Sequence, residues 1–246
     1  HSFPTRRSSD LVTWAGLAPE QALERALQAA EPPGALRAAF HATLTSGSAV
    51  RRIEFDPYAE PAQRFRVTLS QGSNEELDAV VQGWREEGQA DSRLFADDLR
   101  VSLGDARVAG AADSMAVSFR HKMSVNDGPI DAEFSARMIG RLQLNPANGY
   151  LQTIAYDIER PVKLDNGAVV DQYNQTYQFG YSERWGVSYV MGYDLTARGG
   201  KWGMSETRTV HVELTDIAFG FAGDSRQELG SKLSPYDSPA LTANLR

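Results

Sequence analysis

The stretch "FSARMIGRLQLNPANGYLQTIAYDI", residues 134–158, decides the fold. Phe134, Ala136, Met138, Gly140, Leu142 and Leu144 alternate with mostly polar neighbours. A period of two is the signature of a strand with one buried and one wet face. The run stops at "NPANG" (145–149), where Pro146 presets φ and Asn148-Gly149 tolerates positive φ. Those are hairpin residues. Ile154, Tyr156 and Ile158 then carry the return strand. The unit predicted is an antiparallel hairpin.

The same alternation runs outward in both directions. Met115, Val117 and Phe119 precede it. After "LDNG" (164–167), Tyr173, Tyr177, Phe179 and Tyr181 share one parity, as do Val187, Tyr189, Met191, Tyr193 and Leu195. "RGGKWG" (198–203) reads as the next turn, and Val210, Val212 and Leu214 as a last long strand. The apolar parity flips at Ile217 and Phe219, which predicts a bulge near Asp216. In the first half, Phe40, Ala42 and Leu44 mark a strand, "SGS" (46–48) a tight turn, Arg51, Ile53 and Phe55 a return, and Phe65, Val67 and Leu69 a third strand.

Two helices interrupt this pattern. "PEQALERALQAA" (19–30) places Ala22, Leu23, Ala26, Leu27 and Ala30 on one face, with Pro19 at the first position. "SNEE" (73–76) predicts a capping box between Ser73 and Glu76. It opens a helix that buries Leu77, Val80, Val81 and Trp84 and stops at Gly88. A further amphipathic turn covers Leu94, Phe95, Leu99 and Leu103. The fold class expected is mainly β (α+β). Eight to ten antiparallel strands form a strongly curved meander or incomplete β-barrel, with helical segments covering the concave face, because a wide sheet must twist and curl.

The opening "HSFPTRRSSDL" (1–11) stands outside this scheme. It is the single-frame translation of a DNA string used as a short-read sequencing adapter, and the expectation is that it is not native. That reading displaces a twin-arginine export signal, a basic phosphorylation site and a nucleic-acid arm. One domain is then expected over residues 12–222, followed by a polar, disordered tail at 223–246. Arg6, Arg7 and Asp10 contribute +1, so the remainder carries −8 of a total of −7.

That acidic balance argues against nucleic acid, which needs clustered cations. The chain has no cysteine, which removes disulfides, thiol nucleophiles and thiolate metal sites. It has no apolar run of eighteen residues, so no membrane-spanning helix is expected. Four lysines among 25 basic residues point to a GC-rich bacterial gene.

Chemical motifs are absent. His41 and His211 fall on the polar parity of their strands, and His121 at a strand end reads as a rim residue. No histidine pair has metal-ligand spacing, and neither the nucleophile elbow nor the phosphate loop is present. Asp97-Asp98 reads as a solvated face. No cofactor and no metal is expected. The aromatic rows leave three readings open: cross-strand core packing, an apolar ligand cavity with phenols at its mouth, or the girdle of an outer-membrane barrel. For the cavity, the candidate ligand-binding residues are Phe119, Met138, Leu142, Tyr177, Phe179, Tyr189 and Met191 on the inward parity.

"GRLQLNPANGYLQTIAY" (140–156) resembles a strand–turn–strand signature of periplasmic lipoprotein-localisation carriers. "RTVHVELTDIAF" (208–219) is similar to their closing strand, and the first helix followed by "FHATLTSG" keeps their order. The resemblance implies an incomplete β-barrel with a helical lid, a periplasmic or secreted location, and a lipid or lipoprotein acyl chain as partner. It carries no functional residue over, and the oligomeric state is not legible. The alternatives are an envelope structural or interaction module with a filled core, and an enzyme whose site would gather His121 with carboxylates.

Overall fold

The computed structural model describes residues 14–34, 36–104, 106–109, 115–122, 132–164, 166–201 and 204–221. The strands are β1 (Leu36–Ser46), β2 (Ala49–Phe55), β3 (Phe65–Gln71), β4 (Arg107–Ala109), β5 (Ala116–Arg120), β6 (Met138–Leu144), β7 (Leu151–Ile158), β8 (Val162–Lys163), β9 (Val169–Ser182), β10 (Val187–Lys201) and β11 (Met204–Phe221). The helices are α1 (Pro19–Ala30), α2 (Glu75–Glu87) and the short α3 (Leu99–Ser102) and α4 (Ala132–Ala136). All the strands join one antiparallel sheet in the order β3-β2-β1-β11-β10-β9-β7-β6-β5-β4, with β8 on β9. The protein is therefore an open antiparallel meander with few helices. Its first three strands are stitched onto its last, and among the described residues β3 and β4 are the edges.

The deciding hairpin forms as the sequence predicts. β6 and β7 pair from Met138↔Ile158 to Leu144↔Leu151. Asn145 Oδ1 accepts from the Ala147 amide at 2.8 Å, and Asn148 Oδ1 accepts from Tyr150 at 3.0 Å. Gly149 is required twice over. Its φ is +72°, and a Cβ there would lie 2.5–2.7 Å from the Trp14 ring. The strand begins at Met138, later than the alternation suggested, because residues 132–136 close a helical turn that still buries Phe134.

The bulge near Asp216 is present. Ala39 faces Ala218 and His41 faces Thr215, so Asp216 and Ile217 together oppose Phe40. Asp216 takes φ +52°, a conformation aspartate tolerates better than most residues. Its carboxylate lies 2.8 Å from His41 Nδ1. This switch lets Val210, Val212 and Leu214, and then Ile217 and Phe219, all be buried. The turn expected over 198–203 is tighter than drawn, since β10 and β11 stay paired as far as Lys201↔Met204.

The helices lie against the sheet. α1 buries Ala22, Leu23, Ala26, Leu27, Ala29 and Ala30 and meets β10, β7 and β4. Those strands span five spacings, about 24 Å on a flat sheet, against about 18 Å of helix. The sheet curls to bring them to it. Arg25 donates to the Asn148 carbonyl at 2.9 Å and lies 3.9 Å over Tyr150, which stacks on Tyr181 at 3.5 Å. Arg100 of α3 pairs with Glu24 in the middle of α1 and with Glu31 at its C-terminal cap.

α2 covers β1 and β2, with Trp84 edge-on to Phe40 at 6.3 Å. Its cap is Asn74 rather than Ser73: Asn74 Oδ1 accepts from Leu77 at 2.9 Å, while its amide donates to Ser46 Oγ. Both residues are good caps. The bond back to the β1–β2 turn selects the asparagine. Beyond α2, a 3-10 turn (Ala90–Leu94) is tied to β1 by buried Asp91, which receives two bonds from Arg37 at 2.5 and 2.8 Å and one from the Ala38 amide at 3.2 Å. Among the described residues no helix is long and apolar enough to cross a membrane. The polar tail and residues 1–11 lie outside the described residues.

Candidate ligand-binding face

The seven candidate residues divide into three groups. Phe119, Met138, Leu142 and Phe179 keep only 2, 5, 1 and 7% of their surface accessible. The wall of an empty cavity would remain accessible to a water-sized sphere, so these four form a packed floor. Phe119 lies directly on Gly140, its cross-strand partner, and meets Tyr156 edge-on at 5.9 Å. Phe179 shares its face with Val190 across the β9–β10 ladder.

Tyr177 stands differently. It is half-buried and belongs to a row with Tyr173 and Gln175 on β9 and Tyr193 on β10. The Tyr173 hydroxyl donates to Gln175 Oε1 at 2.7 Å, and Gln175 Nε2 donates to the Tyr177 hydroxyl at 2.8 Å. The rings of Tyr177 and Tyr193 lie 5.3 Å apart, and Tyr156 is edge-on to Tyr177 at 6.4 Å. Some ring surface stays accessible, yet burial among these neighbours pushes the Tyr177 phenol well above the usual tyrosine range. Burial raises Tyr193 as well, with Arg93 pulling in the opposite direction.

Tyr189 and Met191 fall out of step with this row. Val190 pairs with Phe179 and Gly192 with Gln178, so Met191 is an unpaired bulge residue in β10. The extra residue breaks the parity that the sequence shows unbroken from Val187 to Leu195. Tyr193 stays with Tyr177, but Tyr189 pairs with Gly180 and covers it together with the Met191 sulfur. Tyr189 turns its ring to Phe219 at 5.3 Å, and Met191 is 41% exposed.

The polar candidates resolve simply. His41 and His211 are exposed and pair with Asp216 and Asp194 at 2.8 and 2.7 Å. His121 is buried, with its ring edge-on to Tyr156 at 5.4 Å, and is not the rim residue its strand-end position suggested. Among the described residues no three His, Asp or Glu side chains gather as a metal site would require. Arg51 shares a buried face with Ile53 and Phe55, as their common parity suggests, but its partners were not legible in the sequence. It donates to Asp78 of α2 at 2.8 Å and to the Val50 and Gln71 carbonyls at 2.9 and 2.8 Å. Its hydrogen bond holds the Asp78 carboxyl below the usual carboxylate range.

A cleft of about 540 Å³ opens at the β3 edge, between the end of α2 and the connection from β2 to β3. Phe55, Pro61, Ala62, Arg64, Phe65, Trp84, Arg85 and Gly88 line it. Together these features define an open half-barrel with a filled floor, a half-buried row of phenols, a helical cover and an open cleft. Comparison with family models, curated proteins and solved structures finds no match for this chain.

Proposed function

We propose that the chain is a non-catalytic, carrier-like binding protein of the bacterial envelope, periplasmic or secreted, that takes a lipid acyl chain or another apolar ligand under its helical cover. The observation that carries this reading is the unclosed sheet, whose apolar face is roofed by helices and not by further strands. A helical roof can lift without breaking a ladder of backbone hydrogen bonds. α1 is suited to that role, since four of its six buried residues are alanines. A ligand methylene placed on the same surface recovers roughly 0.8 kcal/mol. The phenol row would then meet the ligand first.

Native mass spectrometry of protein secreted to a bacterial periplasm tests this. A heterogeneous adduct of lipid mass, lost on denaturation and absent from Tyr177→Glu, supports the carrier. The second reading, an envelope interaction module with a filled core, is favoured by the packing of Phe119, Met138, Leu142 and Phe179. A bare polypeptide mass that does not shift on adding fatty acids or phospholipids would select it.

A further inference from the structure

We propose that the cleft at the β3 edge binds the carboxylate head of a single-chain amphiphile through Arg64 and Arg85, with its apolar tail against Phe65, Pro61 and Ala62. This rests on the reading that the protein binds an amphiphile, and it names the head group and the place of entry.

Charge complementarity carries the argument. Arg37, Arg51, Arg66, Arg100 and Arg141 are each paired with a carboxylate. Arg64 and Arg85 make no ion pair among the described residues, although the chain carries a net charge of −7. Arg64 is half-buried, and its Nε donates to the Ala59 carbonyl at 3.0 Å, which fixes the guanidinium and leaves its two Nη groups for another acceptor. Arg85 lies 5.5 Å over the Phe65 ring. Among the described residues lining the cleft there is no carboxylate. Two guanidinium groups offer the planar, paired donors that fit a carboxylate.

The rest of the wall suits a tail. Phe55 and Trp84, 2% exposed, back the cleft, and half-buried Phe65 with exposed Pro61 and Ala62 forms the apolar surface it presents. The volume falls within the roughly 300–1,000 Å³ of small-ligand sites. An ion alone would not need the aromatic wall, and a neutral hydrocarbon would not need two cations. Phe55 also packs on Phe40 at 5.5 Å, so a tail entering here lies at the border of the apolar core beneath α2.

The test is isothermal titration calorimetry of the whole protein with dodecanoate, dodecanol and dodecyltrimethylammonium, each below its micelle concentration. Saturable binding of dodecanoate, tighter than dodecanol, with no binding of the cationic analogue, is expected. Arg64→Gln and Arg85→Gln should each weaken dodecanoate about tenfold and leave dodecanol unchanged. Both side chains reach the surface, so the variants should keep the wild-type melting temperature. Unaltered dodecanoate affinity in both variants overturns the proposal. If Tyr177→Glu abolishes that binding instead, the ligand lies beneath the cover: this inference falls and the carrier reading stands. No saturable binding of any probe, together with a bare native mass, overturns both.

Discussion

Replacing Gly140 with alanine tests the packed floor most directly. Gly140 of β6 faces Phe119 of β5, and the phenyl ring covers the glycine. A Cβ would sit 2.6 Å from Phe119 Cε1 and nearer still to Cε2 and Cζ, where ordinary contact is 3.4–4 Å. The ring would have to retreat by about 1 Å or more. It has nowhere to go, being 2% exposed with Tyr156 edge-on against it. Overpacking of this kind costs about 1–3 kcal/mol. For a chain of this size each kcal/mol lowers the melting temperature by roughly 2–4 °C. Phe119→Ala alone should cost about 3–5 kcal/mol by leaving a cavity. In the double variant the alanine methyl enters the space the ring vacated. The combined loss should therefore fall about 1–2 kcal/mol short of the sum. Urea unfolding followed by circular dichroism and tryptophan fluorescence reads all four corners of the cycle. A Gly140→Ala loss under about 0.5 kcal/mol, or strict additivity, would mean that the ring does not rest on Gly140. The floor would then be loose enough to reopen the cavity reading.

Asp91→Ala removes both the partner of Arg37 and the acceptor of the Ala38 amide, and should cost about 2–4 kcal/mol in urea unfolding, since Arg37 is a quarter exposed and can recover some hydration. Asp91→Asn, which keeps an acceptor for Ala38, should cost less. Stability should be full below the ordinary tyrosine pKa of 10.0 and fall as pH rises past it, because the unfolded chain releases protons that the raised phenols of Tyr177 and Tyr193 retain. The slope is up to about 1.4 kcal/mol per pH unit per phenol. Urea midpoints between about pH 9 and 11 should show a shallower fall for Tyr177→Phe, and an equal slope would refute the assignment. Arg25→Ala removes the bond to the Asn148 carbonyl and the stack on Tyr150, so amide exchange within α1 should quicken by about tenfold while that of β6 and β7 is unchanged.

The fold was legible wherever one physical demand acted alone. The β6–β7 hairpin needed only alternation and a loop able to take positive φ at Gly149. The Asp216 bulge announced itself because a buried face cannot skip a residue without a flip in parity. The short strands β4 and β8 were not visible, since three and two residues show no period. The cap of α2 was ambiguous locally. Ser73 and Asn74 are adjacent and both cap well, and the deciding bond to Ser46 comes from a turn 28 positions away.

The site was less legible for a related reason. From Val187 to Leu195 every second residue is apolar or aromatic, so nothing in the sequence marks Met191 as the bulge. A strand flanked by apolar groups on both faces leaves its own register unspecified, and only the partner strand fixes it. Gly180 does so here, because its bare backbone accepts Tyr189 and Met191 on one face while Phe179 holds Val190 on the other. The cleft arginines were hidden in another way. Whether an arginine has a carboxylate partner depends on the folded neighbourhood, and Arg64 and Arg66, two residues apart, differ in just this respect. Arg66 reaches Glu54 across the β2–β3 ladder, whereas Arg64 precedes β3, is held by a loop carbonyl and faces the cleft. A cation held by its Nε with no counter-charge among the described residues retains most of its capacity to bind an anion. The end of the sheet where the described strands stop at β3 is also where an amphiphile can place its head in water and its tail on Phe65.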